Sequence, residues 1–273
     1  MTKPKPHLSP SSMDMYTRCG EAFRRRYVEG EIIPPGIAML KGTGVHRAAE
    51  MNMRQKIESH VDLPQNEIVD AAVSAFESET HGGYLLTPEE SSRGAKLVIS
   101  QATGDLVDMA TVHAQLQAPD YQPVATEQLV RIELPNSPRD LLGVIDLIDD
   151  QDRVTDFKTS GRAKSQADAD SSVQLSVYSV LFQALTGREP KELRLDTIVT
   201  TATRTGRKVV STQRGPDNLE ILANRFNAVL KGVQAGIFTP AAPGSWWCAT
   251  KFCGYAMTCP YFPKHREQNE VTR

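Results

Sequence analysis

The chain has 273 residues, with 31 Lys and Arg against 33 Asp and Glu, a formal charge of −2, four cysteines and 40% apolar residues. That is enough apolar surface for one large globular domain or two small ones, and it excludes wholesale disorder, a collagen-like repeat and a disulfide-stapled miniprotein. Near-neutrality does not exclude a polyanionic ligand, because net charge reports on solubility and not on what a cleft binds.

The first ten residues, MTKPKPHLSP, hold three prolines and no apolar run. No stretch nears the roughly 18 uninterrupted apolar residues of a membrane span. A cytoplasmic protein with no membrane association is expected. In a reducing compartment its cysteines are more naturally ligands or buried apolar residues than disulfides.

From Ser9 to about His113 the pattern is helical, with a start at Ser11 or Ser12, a second helix from about Thr43 to Ile57, and further helices beyond. Gly42 and Gly44 lack the Lys-Ser/Thr of a phosphate loop, so the chain has no ATP motor of its own. Between Ile57 and Ser92 there is no Lys or Arg, but there are eight acids, which reads as a solvated helical insertion facing away from any polyanion. Arg18, Arg24, Arg25 and Arg26, and later Arg204, Arg207, Lys208 and Arg214, make two basic segments suited to track a polyanion.

Strand patterns follow at Val124–Leu134, Leu141–Ile148, Arg153–Thr159 and Leu193–Thr201. Helices are expected from about Ser171 to Thr186, closed by Gly187, and from about Pro216 to Gln234. Strands alternating with helices indicate an α/β or α+β fold on a mixed sheet flanked by helices. No linker divides the chain, so residues 1–273 read as a single domain: a helical part at about 9–113, a core at about 124–235, and a Cys-rich tail at about 246–263.

The segments GVIDLID and TDFKTS flank the polar turn Asp149-Asp150-Gln151-Asp152-Arg153. Pairing about Gln151 sets Asp146 opposite Asp156, and period-two alternation puts Lys158 on the face of Asp156. A surface hairpin with solvated acids is the plain alternative. However, both acids sit within apolar strands, where an unpaired charge is costly, so a metal or an ammonium between them is the better account. Glu127 and Glu133 read as cross-strand or solvated acids outside this site.

An Asp on one strand followed by Asp-x-Lys on the next resembles the PD-(D/E)XK nuclease core, and the two segments are close to its RecB-like branch. Two further elements match in the same order. Gln174 and Tyr178, one helical turn apart, resemble the Q-x-x-x-Y element, and Lys41 to Glu50, containing His46, resembles the first-helix motif. The resemblance implies a restriction-endonuclease-like core with Asp146, Asp156 and Lys158 catalytic. His46, Asp146, Asp156 and the Phe157 carbonyl would bind Mg²⁺ or Mn²⁺, Gln174 and Tyr178 would contact DNA in the cleft, and Glu50 would support from behind or form a salt bridge.

Four thiolates suit zinc or an iron–sulfur cluster. Cys19 alone, then Cys248, Cys253 and Cys259 within twelve residues, resembles the iron–sulfur staple of AddB-type and CRISPR-associated RecB-like exonucleases. The implied cofactor is a 4Fe–4S cluster, with Zn²⁺ as the alternative, tying Cys19 to the tail. Trp246, Trp247, Tyr255 and Tyr261 read as packing around that site, with base stacking the other option. The activity implied is metal-dependent exonucleolytic hydrolysis of DNA, single-stranded or at duplex ends, in recombination, repair, phage DNA processing or CRISPR adaptation. A helicase, a recombination or CRISPR partner, or further copies of the chain would be its associates. The other reading is a DNA-binding or adaptation-complex subunit that keeps the fold with little activity of its own.

Overall fold

Ser9 starts the first helix. Its hydroxyl accepts from the Ser12 N–H while the Ser12 side chain bonds back to the Ser9 N–H, and Pro10 follows where a missing N–H costs nothing. The helix therefore begins at Pro10, just before the expected Ser11 or Ser12. The computed structural model describes residues 6–134 and 136–262. Its elements are β1 (His7–Leu8), α1 (Pro10–Arg18), α2 (Gly20–Phe23), a π-turn (Arg24–Val28), α3 (Ile37–Ser59), α4 (Gln65–His81), α5 (Pro88–Arg93), α6 (Ala95–Val112), β2 (Pro123–Ile132), β3 (Asp140–Asp149), β4 (Arg153–Ser160), α7 (Gln166–Asp170), α8 (Val173–Thr186), β5 (Glu192–Thr200), β6 (Thr205–Thr212) and α9 (Pro216–Gln234). Pro263, at the end of the expected tail, lies outside the described residues.

The strands form one mixed six-stranded sheet in the order β1-β3-β4-β5-β6, with β2 also paired to β3. β1 runs parallel to β3 and β4 parallel to β5, whereas β2–β3, β3–β4 and β5–β6 are antiparallel. β2 covers one edge of β3, so β1 and β4 share the other. β1 meets it at Asp140 and Leu141, and β4 meets it only at Leu147 and Ile148. Among the described residues, the intervening positions of β3 on that edge carry no strand partner, and this gap positions the site.

Helices cover both faces. Met13 of α1, Leu175, Val177, Leu181 and Phe182 of α8, and Leu222, Phe226 and Val229 of α9 pack with Leu193 and Leu195 of β5. On the other face α3, α4 and α6 bury Leu40, Val45, Ile68, Ala72, Phe76 and Leu106 against Ile198. The odd-even split between Leu195 and Ile198 is the strand period at work. Two sequence expectations change here. The helix expected from Thr43 begins at Ile37, because Gly42 and Gly44 are not breakers: a Cβ on Gly44 would lie 2.9 Å from the Ala72 carbonyl, so glycine lets α4 pack close. The acid-rich segment is helical, but α4 buries one face as core. Among the described residues, no helix is long and apolar enough to cross a membrane.

The basic segment near position 210 spans strand β6 and its flanks, and two of its four cations, Arg207 and Arg214, are already engaged. Arg207 bonds Asp196 at 2.6 Å and also Asp120, while Tyr121 donates to Asp196 at 2.7 Å. Arg214 donates to Ser176 and to the Ala169 and Ser172 carbonyls. In the N-terminal segment, Arg24 pairs with Glu21 and Glu29, and Arg25 with Glu31 and Thr258. Buried acids such as Asp196 need such partners, so these arginines hold the fold rather than track a polyanion. Arg18, Arg204 and Lys208 stay exposed.

Gly20 shows how tightly the chain ends are docked. Its N–H donates to the Thr239 carbonyl at 2.7 Å, and a Cβ would fall 2.7 Å from the Thr239 nitrogen and 2.8 Å from the Phe238 carbonyl carbon. Backbone atoms cannot yield as a side-chain tip can. Gly20→Ala should therefore destabilise the protein by about 1–3 kcal/mol. Thermal unfolding checks this, and an unchanged midpoint would show that the two segments do not approach so closely.

Candidate active site

The β3–β4 ladder runs Leu147↔Thr155 and Ile148↔Val154 and then stops. The next opposed pair is Asp146 and Asp156, the pairing expected from the turn centre, at the point where the strands part. β4 brings Lys158 to the same face, where its ammonium donates to Asp156 Oδ1 at 2.7 Å. Asp156 is fully buried, and its other oxygen, Oδ2, has no hydrogen-bond partner. A buried, unpartnered carboxylate oxygen is costly, so it marks a place for a cation or an acid proton.

α8 closes the site from one face. Tyr178 is buried and donates to Asp146 Oδ1 at 2.7 Å, while the Phe157 N–H donates to Asp146 Oδ2 at 3.0 Å. Gln174 accepts from Lys158 at 2.9 Å and donates to the Tyr178 hydroxyl at 2.8 Å. The two residues expected to face DNA thus point inward and orient Asp146 and Lys158. From α3, His46 sets Nδ1 3.7 Å from Asp146 Oδ2. Glu50, one turn on, pairs with Arg47 and Arg54, the salt-bridge option of the two expected.

Electrostatics follow from burial. Desolvation raises both acids above the ordinary carboxylate range against the pull of Lys158, Asp156 to about 7 with the charge of Asp146 adding to the rise. Burial also lowers the Lys158 amine, but the charges of Asp156 and Asp146 outweigh it, so the side chain stays an ammonium. Burial and the Lys158 charge lower His46, which leaves a neutral imidazole with a free lone pair. Tyr178 is held well above its usual value by burial and the nearby acids, so it remains a donor.

Two acids were missed as members of this group. Glu127, set outside the site by its sequence context, is pushed up to about 7 by burial and by the charges of Asp146 and Glu50. It also holds φ at +47° within β2, a left-handed conformation rare in a strand. Asp14, on α1, adds its charge to the field at Lys158. Position 127 falls between the ladder pairs Thr126↔Leu147 and Gln128↔Ile145, which sets it across from position 146, a signal available only once that register is known.

The second constellation joins the chain ends. Cys19 lies between α1 and α2, and with Cys248, Cys253 and Cys259 it lines one cavity beside Arg25 and Tyr255. All four are free thiols. Burial raises Cys248 and Cys253, and their proximity to the other cysteines raises both further.

Neither group is a closed coordination sphere. Among the described residues, no three His, Cys, Asp or Glu side chains stand in metal-holding position, so the formed spheres expected at His46, Asp146 and Asp156 and at the four cysteines are not seen. At Asp156 the Lys158 ammonium takes up one oxygen, and the other has no hydrogen-bond partner. The donor sets still fit their groups. Oxygen with one imidazole suits Mg²⁺ or Mn²⁺, and four thiols suit zinc or iron–sulfur.

Comparison with known proteins bears on the fold and the family. A candidate exonuclease from Eubacterium rectale superposes with a TM-score of 0.52 at 13% identity, over 89% of this chain and 86% of its own. A second structure, SSO0001, aligns at 14% identity over 95% and 88% of the two chains, with a TM-score of 0.41. No curated protein matches the sequence. The PD-(D/E)XK nuclease superfamily profile matches residues 7–260, almost the whole chain, and the protein belongs to that superfamily.

Proposed function

We propose that the protein is a metal-dependent DNA exonuclease. The observation that supports it most is one cluster in which Lys158 pairs with Asp156 and His46 stands 3.7 Å from Asp146, while the buried Oδ2 of Asp156 lacks a partner. Nucleases of this superfamily generally use Mg²⁺ or Mn²⁺, and here His46, Asp146, Asp156 and the Phe157 carbonyl would hold the ion. Bound there, it would polarise the scissile phosphate and acidify water.

The chain's own residues supply the rest. Tyr178 and the Phe157 N–H fix the Asp146 carboxylate, so its ligand geometry is preorganised. Lys158, kept as an ammonium, orients the attacking water by donation and offsets charge on the phosphate in the transition state. It is a poor general base in this environment. Gln174 holds that ammonium in place. The four cysteines would bind a structural 4Fe–4S cluster, or zinc, since all four ligands come from the protein. Recombination, repair, phage DNA processing or CRISPR adaptation would each use such an enzyme.

End-labelled linear DNA and covalently closed circular DNA, each with Mn²⁺ or Mg²⁺, test the reading. Degradation of the linear form with the circle spared is expected. Cleavage of the circle would make the protein an endonuclease, and inertness toward both would favour a DNA-binding subunit.

A further inference from the structure

One aromatic cluster outside the active site is held open to solvent. Trp246 and Trp247 stack with ring centroids 3.8 Å apart and planes 24° from parallel. The guanidinium of Arg18 lies 4.1 Å from the Trp247 ring centroid. Phe252 stands edge-on to Trp246 at 4.9 Å and 89°, with the Lys251 ammonium 5.8 Å from the Phe252 centroid. Arg18, Trp247 and Trp246 thus form a column that ends on Trp246, which is 59% exposed, while Phe252 beside it is 50% exposed. A tryptophan held so open is unusual in a packed protein, and an exposed apolar cluster with cations set on its rings calls for a planar, anionic partner.

The column is also wired to the catalytic cleft. Arg18 donates to Asp14 at 3.1 Å, one turn back along α1, and Met13 of the same helix packs with Leu175 and Tyr178 of α8, the helix that closes the cleft.

We propose that the outer face of Trp246, flanked by Phe252 and Lys251, is a stacking platform for an unpaired base of single-stranded DNA. Bases within a duplex already stack on each other and present no free face, so the platform selects a frayed or single strand. This rests on the nuclease reading above, since that reading supplies the nucleic acid, but its test does not depend on cleavage.

The chain has two tryptophans, and both are in the column, so selectively excited tryptophan fluorescence reports the platform. Titration uses a short oligothymidylate and an abasic oligonucleotide of equal length, with divalent metal omitted. The expected result is quenching by the oligothymidylate and little by the abasic strand. Trp246→Ala should bind oligothymidylate about ten-fold more weakly, as loss of one base–aromatic stack predicts. Trp246→Phe keeps a ring and should keep most of the affinity, which separates lost stacking from misfolding. Equal quenching by both strands, no quenching by either, or undiminished binding by Trp246→Ala would overturn the proposal. Quenching by a protein that cleaves no DNA would leave the platform standing and sink the nuclease reading; cleavage without quenching would do the reverse.

Discussion

Asp156→Asn should slow metal-supported DNA cleavage about a thousand-fold or more, and Lys158→Ala about a hundred-fold, at saturating DNA and Mn²⁺. The ordering follows from geometry. Asp156 carries the orphaned oxygen on which the metal would rest, whereas Lys158 contributes one charge and one donor. Removing Lys158 also leaves Asp156 without its counter-charge in a fully buried position, so this variant should hold more tightly to an acid proton. Cleavage by both variants at the wild-type rate would sink the assignment of the site.

The same variants make a pH prediction. Metal-free, Asp156 titrates near 7 rather than at the ordinary 3.8, and Asp146 is also raised. The folded, metal-free protein therefore binds protons that the unfolded chain has released. The stability these groups contribute is present below about pH 4 and is lost as pH rises through about 7. Metal binding has the opposite sign, because the ion must displace those protons and gains as they leave. Mn²⁺ should bind about ten-fold more weakly at pH 6 than at pH 8, the mass-action effect of one proton with a pKa near 7. Calorimetry in buffers of different ionisation enthalpy should show proton release at pH 6 and less at pH 8. Asp156→Asn should flatten that difference, and a wild-type affinity independent of pH across this window would contradict the picture.

Much of the candidate site could be read from local rules. Asp146, Asp156 and Lys158 follow from a turn centre and a strand period, and both constraints act within about fifteen residues. Helix limits at Gly187 and Gln234 were equally local. What escaped were pairings between distant segments. Tyr178 reads as a cleft residue until α8 is packed on β3, whereupon its hydroxyl reaches Asp146. Glu127 reads as a solvated acid until the β2–β3 register sets it across from Asp146. Arg207 and Arg214 read as free cations until β6 is paired, because nothing in their own sequence context reveals Asp196 or the Ala169 and Ser172 carbonyls. Charge runs are poor guides to a binding face for the same reason. Arg18 is the informative exception: it remains exposed, and the ring beneath it comes from the other end of the chain.

The largest stability effect is expected at the cysteines. Cys19 and Cys253 lie near opposite ends of the chain but line one cavity, so a metal shared between them closes nearly the whole sequence into a loop. Constraining a loop of that size stabilises a fold by about 2–5 kcal/mol, which for a protein of this length corresponds to a thermal midpoint shift of about 10 °C. Cys19→Ser and Cys253→Ser should each lower the midpoint by about that much and remove the bound metal. Protein purified anaerobically should be brown if the site holds iron–sulfur and colourless if it holds zinc, and either single variant should lose the iron or zinc found in the wild type. The double variant decides whether the site is shared. Once one ligand is lost the ring is open, so the second substitution should cost little more, whereas two independent buried thiols would give additive losses. Additivity, or wild-type metal content in either single variant, would separate Cys19 from the tail. Docking of α1 onto the C-terminal segment would then rest on contacts such as the Gly20 N–H on Thr239 and the Tyr16 hydroxyl on the Ile237 carbonyl.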